Sequence, residues 1–251
     1  MAESLSTTTA LITGASSGIG HATALSLAAA GANVALVARR AERLEELAKE
    51  IRDKGGKAIV IPADITSVQE AEETVARTLA EFGRVDTVVN AAGLMINGPS
   101  LDLSLTDWDE MINVNFRGLM YVTKAALPHL LEAVRTSPRK VADVINISSV
   151  AGRLAAPQVA IYNATKFAVT AATESWRQEF TRKSLRFSVV EPGAVTTELW
   201  KQKGSWEGFT AMFGEVERLL ASDIADAVSY IVRSPRRVAV NEIVIRPTDQ
   251  P

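Results

Sequence analysis

Residues 9–13, Thr-Ala-Leu-Ile-Thr, run straight into Gly14-Ala-Ser-Ser-Gly18-Ile-Gly20 and then into an alanine-rich stretch reaching Ala30. The first five have the length and composition of a buried strand, and the alanine-rich stretch reads as a helix. A strand, a glycine turn and a helix in that order leave few folds open. Glycine lets the backbone bend tightly and approach a pyrophosphate, whose charge is then met by amide N–H groups at the helix start. The spacing is G-x-x-x-G-x-G rather than G-x-G-x-x-G, and a glycine triplet by itself is also what a flexible turn contains.

The rest of the chain repeats the alternation. Strand-like runs fall at 33–38, 57–61, 86–90, 141–148, 187–190 and 239–245, separated by helical patterns at about 41–54, 67–82, 106–134, 161–182 and 222–233. Ser67 and Glu70 have the S-x-x-E spacing of a capping box. Seven strands alternating with helices imply an α/β fold, a single-domain Rossmann fold whose parallel doubly wound sheet carries helices on both faces. With 251 residues, 47% of them hydrophobic, the chain can bury a full core as one domain spanning 1–251, with a variable lid at about 194–220.

Composition narrows the partners. A net charge of −2 supplies no broad cationic field, so neither nucleic acid nor an anionic membrane is expected as the main partner, and a small molecule is. The chain has no cysteine, which removes disulfides and thiolate nucleophiles, and its two histidines, His21 and His129, lie on different predicted helices, so no metal is assigned. The first residues lack a basic start and an apolar core of signal length, and no apolar run reaches the ~18 residues of a membrane span. A cytoplasmic location is expected.

The ends of the predicted strands carry the polar residues that matter. Arg39 and Arg40 follow the second strand, where an NAD site would carry an acid for the ribose hydroxyl; Ala38 supplies none, and two guanidiniums suit a 2′-phosphate. The same arginines could also simply begin a solvated, charged helix, and their position at the strand end favours the phosphate role. Asp64 and Ile65 follow the third strand at the height of an adenine, and Asn90-Ala91-Ala92-Gly93 ends the fourth with small residues that permit close approach of a ligand.

Ser149 ends the fifth strand; Tyr162 and Lys166 stand at i and i+4 on the next helix, one turn apart on the same face. A lysine cation there favours the tyrosinate and should lower the phenol from its usual pKa of about 10, although such a pair is also what an amphipathic helix contains. Asn115 and Gly118 lie inside a long predicted helix where packing alone would prefer other residues, which marks a functional position. Residues 198–214 hold Trp200, Trp206, Phe209, Met212 and Phe213 between glycines and read as a lid, or as an amphipathic helix, or as both.

With those residues in place, nearly the whole chain resembles the short-chain dehydrogenase/reductase family. Thr13 to Gly20, including Gly14, Ser16, Ser17, Gly18 and Ile19, matches the family's phosphate loop, and Asn90-Ala91-Ala92-Gly93 its central-strand signature. Asn115, Ser149, Tyr162 and Lys166 match its catalytic tetrad, Pro192-Gly193 with Val195 and Thr197 its nicotinamide-side segment, and Arg39 the basic residue of NADP-preferring members. The Arg39–Leu44 run and the Glu242–Asp249 ending are similar to NADP-dependent 3-hydroxy acid dehydrogenases and clavaldehyde reductase.

The resemblance implies an NADP(H)-dependent carbonyl reductase or alcohol dehydrogenase. In it Tyr162 would be the general acid, Ser149 would steady the oxygen, Lys166 would bind the nicotinamide ribose, and Asn115 would hold a proton-relay water. It also implies a homotetramer, or failing that a dimer, built on the two long helices. An imine reductase and a non-catalytic NADP-binding regulator are the alternatives, and the intact tetrad speaks against the second. Met95, Arg153, Trp200, Phe209 and Phe213 are the expected substrate-pocket residues, Arg153 as a partner for a substrate carboxylate or as an ordinary loop arginine.

Overall fold

The computed structural model describes residues 3–201, 206, 209, 210 and 214–251. Seven strands form one sheet: β1 (Thr9–Thr13), β2 (Asn33–Ala38), β3 (Ala58–Pro62), β4 (Thr87–Asn90), β5 (Ala142–Ile147), β6 (Leu185–Pro192) and β7 (Glu242–Ile245). Their order is β3-β2-β1-β4-β5-β6-β7 and every pairing is parallel. The helices are α1 (Gly18–Ala29), α2 (Ala41–Asp53), α3 (Val68–Phe82), α4 (Leu105–Ile112), α5 (Leu119–Thr136), α6 (Ala160–Phe180) and α7 (Ala221–Val232).

Side chains that alternate along a strand supply both faces of such a sheet. On β1, Ile12 packs with Leu27 of α1, Leu44 of α2 and Val228 of α7, while its neighbour Leu11 packs with Val75 of α3, Val122 of α5 and Phe187. The sheet is therefore largely apolar on both sides. Strand order reverses between β1 and β4, whose last residues Thr13 and Asn90 are register partners. That reversal opens the crevice in which a doubly wound sheet receives its ligands.

Charge is also buried inside the sheet. Asp143 on β5 and Arg186 on β6 are register partners, with Nε to Oδ1 at 2.6 Å and Nη2 to Oδ2 at 3.0 Å. Arg186 spends its remaining donors on the carbonyls of Ser234 and Val238, at 3.0 and 2.7 Å, and so fastens the segment after α7 to the sheet.

Local chemistry changes several expected boundaries. The long helix expected at 106–134 is α4 and α5 joined by a π-helical stretch, Asn113–Gly118. The extra residue in that turn is accommodated where Asn115 reaches out of the helix and where Gly118 lets Ile65 approach: a Cβ on Gly118 would lie 2.7 Å from Ile65 Cγ1. Half of the expected capping box forms at α3. Ser67 Oγ accepts from Glu70 N at 3.3 Å, but the Glu70 carboxylate accepts from Asp64 N instead of returning to Ser67. β7 begins at Glu242 rather than 239, because the carbonyls of Val238 and Val240 accept from Arg186 and Ser188 side chains. Among the described residues, no helix is long and apolar enough to cross a membrane.

Candidate active site

The glycine turn is shaped by contact as much as by flexibility. Gly14 has φ of +67°, and a Cβ there would stand 2.7 Å from Ala92 N; one on Gly20 would stand 2.5 Å from the Gly14 carbonyl oxygen. Thr13 Oγ1 accepts from Ala91 N at 3.2 Å and from Ala92 N at 3.3 Å, locking the β1 exit against the β4 exit. Ser17, at the N-cap of α1, makes no side-chain capping bond, so the first amides of that helix are presented toward the turn.

A cavity of about 1670 Å³ runs from this turn along the carboxyl edge of the sheet, above the ~300–1,000 Å³ of an ordinary small-molecule pocket. One end is lined by Gly14, Ser16, Ser17, Gly18, Ile19, Arg39, Arg40, Asp64 and Ile65. Ala91, Gly93 and Met95 lie along its middle. The other end is lined by Ser149, Tyr162, Lys166, Pro192, Gly193, Val195, Thr197, Trp200 and Phe209. Three remaining expected residues support this cavity from behind. Gly20 underlies Gly14; Asn90 is buried and donates to Asn146 Oδ1 at 2.8 Å and to Thr123 Oγ1 at 3.0 Å, tying β4 to β5 and α5. Asn115 accepts from Leu94 N at 2.7 Å and donates to Leu94 O at 2.8 Å and Thr165 Oγ1 at 3.1 Å. Its amide thus holds the backbone at Leu94, next to Met95 in the cavity wall.

Tyr162 and Lys166 are both buried on α6, with the lysine Nζ 5.7 Å from the phenol ring centroid and donating to Ile147 O at 3.0 Å. Burial disfavours the charged form of each. It pushes the Tyr162 phenol up to about 12, against a hydrogen bond with Ser149 that works the other way, and pulls the Lys166 amine down to about 8. The phenol is therefore raised where a lowering by the lysine was expected: desolvation dominates, and what opposes it is the hydrogen bond with Ser149, not the Lys166 charge. Ser149 Oγ accepts from Ala151 N at 3.1 Å and donates to Pro192 O over a long 3.4 Å, a bond easily exchanged for a better acceptor.

Arg153 requires a correction. It is absent from the cavity lining, and its guanidinium pairs with Glu191, which is fully buried on β6, and with Glu242 on β7. Two carboxylates from the protein already hold it, so it braces the turn after Ser149 instead of facing a substrate. Phe213 falls outside the described residues. Trp200, Trp206 and Phe209 form one aromatic cluster, with Trp206 and Phe209 stacked at 5.0 Å and Trp200 edge-on to both. Trp200 Nε1 also donates to Val195 O at 2.8 Å, anchoring that wall to the strand exit.

Two contributors lie too far along the chain for local patterns to reveal. Gln250 accepts from Ala194 N at 2.9 Å and covers Gly193, where a Cβ would meet its Oε1 at 2.3 Å. Glu198 pairs with Arg40 and Arg43 beside the glycine-turn end of the cavity. Among the described residues, no cluster of three or more histidine, cysteine or acidic side chains stands ready for a metal.

A long crevice at the switch point of a doubly wound sheet, with a serine, a tyrosine and a lysine at its far end, defines a nucleotide-dependent oxidoreductase. Residues 8–208 match the short chain dehydrogenase family, and the chain belongs to it. It is 37% identical over 238 residues to an uncharacterized oxidoreductase of Staphylococcus epidermidis, covering 95% of this chain and 96% of the relative. It is similar in structure to a 3-ketoacyl-(acyl-carrier-protein) reductase from Brucella melitensis complexed with NADH: TM-score 0.86, 28% identity, 98% of this chain and 99% of the other. An alcohol dehydrogenase from the archaeon Thermococcus sibiricus complexed with 5-hydroxy-NADP is similar too: TM-score 0.85, 30% identity, coverage 97% and 98%.

Proposed function

We propose that the protein is an NADPH-dependent carbonyl reductase and alcohol dehydrogenase that interconverts an aldehyde or ketone and its alcohol. The whole chain acts as one catalytic domain in the cytoplasm, as a homotetramer, with a dimer as the second reading. The observation that carries the activity is the meeting of Ser149, Tyr162 and Lys166 at one end of a cavity whose other end is lined by the glycine turn and two arginines. For the cofactor, the cradle at Gly14, the free first turn of α1 and the absence of an acid at the end of β2 all fit NADPH, with Arg39 and Arg40 facing the 2′-phosphate.

When bound, NADPH supplies the hydride; the chain's own residues supply position and protons. Tyr162, held protonated at neutral pH by burial, donates its proton to the carbonyl oxygen. Ser149 exchanges its long bond to Pro192 for one to the same oxygen and disperses the charge that develops there. Lys166, whose amine is held near 8, is still mostly cationic at pH 7 and stabilises the tyrosinate left behind. In the reverse direction the Tyr162 tyrosinate accepts the alcohol proton, with Ser149 and Lys166 in the same supporting places.

Tyr162→Phe keeps the ring in its buried place and removes the transferable proton. Turnover of a ketone with NADPH is expected to fall about 10²- to 10⁴-fold, with NADPH affinity within about twofold of the parent. Unchanged turnover would remove the reading.

A further inference from the structure

Glu198 begins the short 3-10 turn Glu198–Lys201 that leads into the aromatic wall of the cavity, yet its side chain points back to the glycine-turn end. Its Oε2 meets Arg40 Nη1 at 2.8 Å, and Arg43 Nη1 lies 2.9 Å from both carboxylate oxygens. Arg40 at the same time donates from Nη2 to Ser16 Oγ and Ser17 Oγ, at 2.9 and 2.8 Å, so it spans the phosphate loop on one side and Glu198 on the other. The strand exit is drawn down with it: Thr197 Cγ2 comes within 3.1 Å of where a Cβ on Gly18 would be. A carboxylate and a phosphate ester compete for a guanidinium by the same planar, charge-assisted geometry.

We propose that Glu198 is an anionic latch that occupies Arg40, one of the two arginines assigned above to the 2′-phosphate, with Arg43 as its second anchor, until a phosphorylated ribose displaces it from Arg40. The latch residue directly precedes Leu199 and Trp200, both of which line the substrate end of the cavity, and Trp200 keeps its own bond to Val195 O. An unphosphorylated nucleotide, with no anion to offer Arg40, leaves the latch closed. The inference rests on the NADPH reading above and adds to it a residue that sets how strongly the phosphate is preferred.

The test uses the adenosine halves alone, 2′,5′-ADP and 5′-AMP, titrated calorimetrically into the full chain and into Glu198→Gln, which keeps the shape and removes the charge. Both ion pairs are partly exposed, with side-chain exposures of 44% and 29%, so the competition is modest: 2′,5′-ADP is expected to bind the variant about three- to tenfold more tightly, and 5′-AMP to be unaffected. Equal tightening of both nucleotides, no change, or weaker 2′,5′-ADP binding would each overturn the latch while the parent still prefers the phosphate. A parent that binds both nucleotides alike would overturn the NADPH reading itself, and the latch with it. Melting temperatures of the two proteins, expected to agree within about 2 °C because surface ion pairs contribute little, confirm that the variant is folded.

Discussion

Replacing Asn115 with alanine tests whether the π-helical turn exists to hold the cavity wall. The wild-type amide satisfies both backbone groups of Leu94 and bonds Thr165 Oγ1, at 2.7, 2.8 and 3.1 Å, from a side chain only 1% exposed. Alanine removes all three bonds. Each buried polar group left without a partner costs about 1–3 kcal/mol, and because Leu94 is half-buried, water recovers part of that cost, so the sum comes to about 2–4 kcal/mol. For a chain of this size that lowers the melting midpoint by roughly 5–15 °C. Leu94 and Met95 line the cavity directly, and a wall displaced by about 1 Å costs on the order of 10²-fold in rate, so kcat/KM should fall by at least about tenfold. Calorimetry and steady-state kinetics on the same preparation measure both. A variant that loses activity with an unchanged midpoint would refute the tether and return Asn115 to a purely chemical role.

Three further outcomes follow from buried ionisable groups. Lys166 is held near 8 in the folded protein against 10.5 unfolded, so between those values the unfolded chain binds more protons and stability rises with pH; the parent should gain about 2 kcal/mol from pH 8 to 10, and Lys166→Met should lack that gain in chemical denaturation. Tyr162, held near 12 against 10.0, works in the opposite sense, so stability should fall again above pH 10, and a curve that keeps rising would contradict its burial. Asp143→Ala leaves Arg186, and Arg139 at 3.6 Å, without their shared carboxylate and should cost about 3–5 kcal/mol; the double variant Asp143→Ala, Arg186→Met should recover the Arg186 part of it, and a double variant as unstable as the single one would show that the Arg186 pair is not the source.

What was legible in the sequence is what depends on neighbours along the chain. Strand and helix alternation gave the sheet, because parallel strands buried on both faces read as continuous apolar runs such as Val34–Val37. The spacing of Tyr162 and Lys166 on one helix, and the placing of Ser149 at a strand end, followed from periodicity alone. Asn115 and Gly118 stood out as poor helix residues, but the π-turn they permit is set by Leu94 and Ile65, which arrive from other parts of the chain. Arg153 was open to misreading for the same reason: its partners, Glu191 and Glu242, lie on strands that only the folded sheet brings beside it. The direction of the Tyr162 shift depended on how completely the phenol is buried, a quantity no local pattern carries. Gln250 and Glu198 left no local signal at all, since each acts on a loop it is joined to only through space.

The bonds from Thr13 to the amides of Ala91 and Ala92, together with the fit of Gly14 beneath them, make the exits of β1 and β4 a single interlocked corner. An engineer seeking a different substrate should leave that corner untouched, because any side chain added there would spread the nucleotide cleft and the reaction chamber at once. Diversification is better aimed at the aromatic cover around Trp200, where shape can vary without disturbing the hinge on which both halves are registered.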